Sequence, residues 1–217
     1  MSQPPRAIPC SASAAAAATV FGDRRPLAGA FADLLAGPGV ERGLIGPRET
    51  DRLWSRHLLN CAVLGELIAS EAEVLDVGSG AGLPGIPIAI ARPDVTVTLL
   101  EPMARRVSFL EEAVAALQLS NVRVVRGRAE DPAVRRRLRR RQVVTARAVA
   151  PLPRLVGWCR PLLGPGGRLL AIKGESASSE LELAKAALRA AGITDARIVL
   201  CGAEVLDTPT TVVQLTA

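Results

Sequence analysis

The chain is poor in aromatic side chains: of 217 residues three are Phe, two are Trp and none is Tyr. Stacking platforms of the kind that grip single-stranded nucleic acid are therefore scarce. Histidine is scarcer, with His57 alone, so neither a His-based metal site nor a nucleophile–histidine pair is visible. The four cysteines, Cys10, Cys61, Cys159 and Cys201, stand far apart and form no C-x-x-C pair. That spacing gives no zinc ribbon and no disulfide framework, and reads as reduced thiols in a cytoplasmic protein. No uninterrupted apolar run reaches the roughly 18 residues that a membrane span needs. Lysine is nearly missing too, with Lys173 and Lys185 the only two.

Arginine fills the gap. Lys and Arg total 27 against 21 Asp and Glu, for a formal charge of +6. Such a balance suits an anionic partner, and the guanidinium fork matches phosphate. The densest cluster, Arg135-Arg136-Arg137-Leu138-Arg139-Arg140-Arg141, reads equally well as a phosphate-binding patch or as a solvated helix face.

Composition and periodicity divide the chain in three. Residues 1–20, rich in Ser, Pro and Ala, are expected to form a disordered tail. Residues 21–70 read as a short helical extension. Leu27, Phe31, Leu34 and Leu35 recur at helix spacing, Gly37-Pro38-Gly39 interrupts them, and a second helix carries Leu53, Trp54, His57, Leu58 and Cys61. Residues 71–217 alternate short apolar runs with helical segments. Strands are predicted at 73–77, 95–100, 122–125, 143–146, 168–172, 196–200 and 211–215. Such alternation specifies an α/β fold, a mostly parallel sheet covered on both faces. The last two strands are too close for a crossover helix, so they are expected to run antiparallel.

The most informative stretch is Val74-Leu75-Asp76-Val77-Gly78-Ser79-Gly80-Ala81-Gly82-Leu83-Pro84-Gly85. A hydrophobic strand delivers an acid, then three alternating glycines, then a helix opened by proline. Glycine lets the backbone turn sharply and approach a ligand closely. The next strand ends in Glu101, placed to accept bonds from both hydroxyls of a ribose. Gly80-x-Gly82-x-x-Gly85 formally matches a dinucleotide fingerprint, so a nicotinamide cofactor and an oxidoreductase remain an alternative. A pyrophosphate, however, wants free N–H groups and positive potential. Pro84 removes a donor and Asp76 adds a negative charge. S-adenosylmethionine has no phosphate and carries an ammonium and a sulfonium, so Asp76, Gly78, Gly80 and Glu101 are better suited to it. Glu130, closing the third strand, is placed to accept from an adenine amine. Arg128, Arg147 and Lys173 follow strand ends, where ligands sit in open sheets, and are candidates for positioning substrate.

With these residues in view, the chain resembles the glucose-inhibited division protein B family, in its actinobacterial branch. The likeness runs from about residue 41 onward. It is carried by Arg56-His57-Leu58-Leu59, the loop Gly78 to Pro87, Arg106-x-x-Phe109-Leu110, Arg128-Ala129-Glu130, Arg147-Ala148 and Lys173-Gly174. Two elements depart from the family pattern: Asn60-Cys61 where many members have Asp-Ser, and Gly43-Leu44-Ile45-Gly46 where many have an Asn-Leu-Thr element. The resemblance implies a seven-stranded, Rossmann-like class I methyltransferase sheet with an antiparallel last strand. It implies methyl transfer from S-adenosylmethionine to guanine N7 in 16S ribosomal RNA of the small subunit. It further implies that Gly78, Leu83, Ala129, Glu130 and Arg147 contact the cofactor. The expected enzyme is a cytoplasmic monomer without membrane attachment. A methyltransferase of another RNA, or an RNA-binding module without catalysis, are the remaining readings.

Overall fold

The computed structural model describes residues 11–217. Two helices lead, α1 (Ser11–Phe21) and α2 (Arg25–Leu34). A helical segment over 53–67 follows, its middle turn being α3 (Asn60–Ala62). The alternating region then gives β1 (Glu73–Val77), α4 (Gly85–Ala91), β2 (Thr96–Glu101), α5 (Ala104–Ala116), β3 (Val122–Arg126) and α6 (Pro132–Leu138). It continues through β4 (Arg141–Arg147), α7 (Leu152–Cys159), β5 (Leu163–Ile172), α8 (Ala177–Ala190), β6 (Asp195–Cys201) and β7 (Thr210–Thr216). The seven strands form one sheet in the order β3-β2-β1-β4-β5-β7-β6. β7 is antiparallel to both β5 and β6, and the other pairings are parallel.

The central strands carry consecutive buried residues because neighbours feed opposite cores, whereas β3 and β6 at the sheet edges are mostly exposed or half-buried. Val74, Val97, Leu99, Val143, Leu170 and Val212 face the side covered by α1, α2, α4 and α5. Leu75, Leu100, Val144, Leu169, Ala171 and Val213 face the side covered by α6, α7 and α8. Parallel pairing aligns the carboxyl ends of β1 to β5 along one edge. β6, parallel to β5 across β7, brings its own end to the same edge.

Two expectations fail at the N-terminus. The expected disordered tail is helical from Ser11; residues 1–10 lie outside the described residues. Alanine is the best helix former, and here it also packs: Ala16 and Ala17 are buried with Phe21, whose ring meets Trp54 edge-on at 6.4 Å. Nor does Gly37-Pro38-Gly39 end the helical path. The chain stays helical through Gly39 in a widened turn with Pro38 inside it, and such a turn absorbs the missing proline N–H. Among the described residues no helix is long and apolar enough to cross a membrane.

Candidate cofactor and substrate site

The glycine loop joins β1 to α4 at the carboxyl edge of the sheet. Gly78, Gly80 and Gly82 have φ of +71°, +58° and +91°, a region where side chains are strained. A Cβ on Gly78 would lie 2.9 Å from Val149, so the backbone there is also pressed close to the neighbouring loop.

Two carboxylates hold the loop from within. Asp76 is fully buried. Its register partner on β4 is Thr145, whose hydroxyl donates to Oδ1 at 2.9 Å, while Gly85 N–H donates to Oδ2 at 3.2 Å. Burial pushes Asp76 up to about 6, against the hydrogen bonds from Thr145, Ser79 and Gly85. Glu101 is also buried, at 1% exposure. Gly80 N–H and Met103 N–H donate to its two oxygens, each at 3.0 Å. The geometry thus corrects the reading of Asp76, whose carboxylate is spent on the loop and lines neither cavity that opens beside Gly78. Each oxygen of Glu101 keeps a second lone pair for a further donor.

Two cavities open at this edge and meet at Gly78. The first is walled by Val77, Leu100, Pro102, Val149 and Trp158, with Arg128, Ala129 and Glu130 at its rim. Apolar walls with Arg128 and Glu130 among the lining suit an adenine, which has apolar faces and a polar edge. Arg128 is well exposed and lies 3.7 Å from Glu130. The second cavity is bordered by Gly80, Leu83, Ile45, Arg106, His57 and Arg147. Arg106 Nη1 stands 3.9 Å from Glu101 Oε2, while its buried Nε has no hydrogen-bond partner among the described residues, a donor that fits a carboxylate or phosphate.

Arg147 is fixed by residues far upstream. Its Nη2 lies 2.5 Å from His57 Nδ1 and its Nη1 3.1 Å from Cys61 Sγ. His57 Nε2 lies 2.9 Å from Glu49 Oε2. Because arginine only donates, Nδ1 accepts and the Nε2–H donates to Glu49. Burial, then the Arg147 charge, hold His57 below its ordinary value, while Glu49 pulls the other way. The hydrogen bond from His57 holds Glu49 below the usual carboxylate range. His57 is thus a neutral strut. Burial pushes the Cys61 thiol up to about 11, so it too meets Arg147 uncharged.

Lys173 does not reach either cavity, which corrects its candidacy. Its Nζ bonds Ala150 O at 3.1 Å and Glu180 Oε2 at 2.7 Å, and Glu180 also accepts from Leu152 N–H. The lysine ties the loop after β4 to α8. The arginine run divides as well. Arg135 caps Ala129 O and Gly157 O, and Arg141 is buried against Glu73. Arg136, Arg137, Arg139 and Arg140 are exposed and lead into the start of β4, at the edge opposite the glycine loop.

The model of the family described as rRNA small subunit methyltransferase G matches residues 25–208. A Mycobacterium sp. (strain JLS) protein named ribosomal RNA small subunit methyltransferase G is 58% identical over 90% of this chain and 86% of its own length. Its Thermobifida fusca counterpart is 56% identical over 93% and 84%. The chain belongs to this family. The solved structure of M. jannaschii TYW2 in complex with AdoMet matches at 17% identity, TM-score 0.57, over 76% of this chain and 77% of that one. At that identity the likeness shows the fold, a methyltransferase sheet. The matched family region contains both cavities and excludes α1.

Four contributors escaped sequence reasoning: Glu49, Cys61, Arg106, and His57 as a partner of Arg147. Arg106 and His57 stand in motifs that carry the family resemblance, so their positions were visible while their contacts were not. Nothing in the sequence pairs Glu49 with His57 or Cys61 with Arg147.

Proposed function

We propose that this enzyme transfers a methyl group from S-adenosylmethionine to N7 of a guanine in 16S ribosomal RNA, with Gly78, Gly80, Leu83, Glu101, Ala129, Glu130 and Arg147 serving the cofactor. The observation that carries the reading is the meeting of the two cavities at Gly78. The first is shaped for an adenine and the second is ringed by arginines. Bound adenosylmethionine supplies an electrophilic methyl on a sulfonium. The chain's own residues do the rest. Ala129 and Glu130 offer backbone and carboxylate at the purine end, and the glycines allow close backbone approach. Arg106 and Arg147 present cationic donors, one to the cofactor's carboxylate and one to the incoming base or its phosphate.

Guanine N7 has an unshared pair and no proton to lose, so attack requires no general base. His57 agrees with this: its Nδ1 lone pair is already taken by Arg147. Catalysis rests on holding N7 in line at near-attack distance. The target guanine must be unstacked to enter the second cavity. A dinucleotide fits poorly, because Gly80 N–H and Gly85 N–H are already donated to Glu101 and Asp76, leaving fewer donors for a pyrophosphate. In this reading the partner is the small ribosomal subunit, met by a cytoplasmic monomer.

Nucleoside mass mapping tests the reaction. Small subunits lacking the modification, incubated with enzyme and S-adenosylmethionine, should gain one 7-methylguanosine in 16S RNA. Methylation at another atom, or none, would refute it.

A further inference from the structure

A third cavity, of about 290 Å³, lies on the same edge and has no part in the site above. That volume is at the lower end of small-molecule pockets, ~300–1,000 Å³. Its apolar wall is Leu59, Val205 and Leu206, and Ala16 of α1 closes one end. The loop over 202–209 that lines it follows β6, whose carboxyl end shares the edge with the glycine loop. One helical segment, Leu53–Leu59 with α3, partitions this cavity from the second. Ser55, Arg56, Leu59 and Asn60 face the third cavity, while His57 faces the second and Cys61 meets Arg147. A helix is about 10–12 Å across with side chains, so a strand entering one cavity can enter the other within a nucleotide or two.

The lining has unspent polar groups. Among the described residues no hydrogen bond engages the side chains of Ser55, Asn60, Asp207 or Thr208. Arg56 is more than half exposed at the mouth, and its ion-pair partner, Glu49, stands at 3.7 Å. The mixture of one cation, one carboxylate, an amide and an aliphatic wall of Leu59, Val205 and Leu206 defines the guest. A bare phosphate would be repelled by Asp207. A nucleobase has N–H groups for Asp207, mixed edges for Asn60 and a π-face for Leu59 and Val205, and its phosphate can meet Arg56.

We propose that this cavity binds an unstacked base of the same RNA strand beside the target guanine, Asp207 and Asn60 reading its edge and Arg56 its phosphate. The proposal rests on the RNA methyltransferase reading. Because the apolar wall is aliphatic, it works in a chain with few aromatics.

Steady-state methylation of small subunits lacking the mark tests it with Asn60→Ala and Asp207→Ala. Each should raise KM for the subunit about fivefold or more, as loss of a hydrogen-bonding partner does. The turnover number and the dissociation constant for S-adenosylmethionine should stay within about twofold. Asp207 gives the decisive sign. If only the electrostatic field mattered, removing a carboxylate near a polyanion would lower KM, so a lowered or unchanged KM overturns the proposal. Asp207 is exposed and has no side-chain bond among the described residues, so its variant should fold even where Asn60→Ala does not. A photo-crosslinker replacing Thr208 should map to nucleotides flanking the methylated guanine. Cross-linking to a ribosomal protein or to remote RNA would overturn the assignment. Failure of the wild-type enzyme to methylate guanine N7 would instead sink the underlying function.

Discussion

Arg147 Nη2 stands 2.5 Å from His57 Nδ1, a bond that ties the end of β4 to a helical turn 90 residues earlier. The contact exists only while His57 is neutral, because a protonated ring has no lone pair for arginine and adds a like charge.

Activity should therefore have an acidic limb. Below about pH 6.5 the unfolded chain takes up the imidazole proton and the folded chain resists it. Stability from this group is present above that value and declines as pH falls through the window beneath it. Lowering pH should reduce kcat/KM as Arg147 loses its strut, and His57→Gln, which keeps an acceptor, should weaken that limb. His57→Ala should lower kcat/KM about tenfold or more at neutral pH, the cost of a hydrogen bond to a charged group. A pH–rate series on the three proteins checks this; identical profiles would reduce His57 to packing.

Asp76 works in the opposite direction. Its carboxyl is raised from 3.8 to about 6 by burial, so between those values the folded state holds a proton that the unfolded state has lost. Its contribution to stability should fall as pH rises from about 4 to 6. Asp76→Asn should remove that slope from the thermal midpoint. Asp76→Ala should destabilise at every pH, by about 1–3 kcal/mol, because Gly85 N–H and the Thr145 hydroxyl lose their acceptor. Thermal unfolding across pH reads both effects.

Glu101→Ala should weaken S-adenosylmethionine binding by about tenfold or more. The expected cause is now double: lost acceptors for the ribose, and a glycine loop released where Gly80 N–H and Met103 N–H were held. Equilibrium dialysis measures it. An unchanged dissociation constant would show that the carboxylate serves neither purpose.

Lys173→Met should cost stability, about 1–3 kcal/mol, by leaving Glu180 half-buried without its cation. It should move cofactor affinity and KM for the small subunit little. A large KM effect with an unchanged unfolding midpoint would return Lys173 to the substrate.

The strand–helix order, the antiparallel final strand and the glycine loop were readable from residue pattern, because period, spacing and turn chemistry act locally. The family resemblance rested on the same short stretches. The arginine run was visible too, but not its division into inward and outward members. What it does depends on which side of α6 each residue takes and at which edge β4 begins.

Local pattern also misjudged α1. Its alanines carry a strong helix preference, yet the polar start of the chain obscured it, and only burial of Ala16, Ala17 and Phe21 gives that helix a place. Lys173 looked like a strand-end cation for substrate until packing set Glu180 beside it. Asp76 and Glu101 were marked in the sequence as acids of the cofactor site. Whether they faced ligand or loop was decided by parallel register, which sets Thr145 beside Asp76, and by the turn that aims Gly80 N–H at Glu101. The Glu49–His57–Arg147 chain and the third cavity lay beyond sequence reading altogether. Each joins residues from segments far apart along the chain, and such contacts follow from the packing of whole elements rather than from local preference.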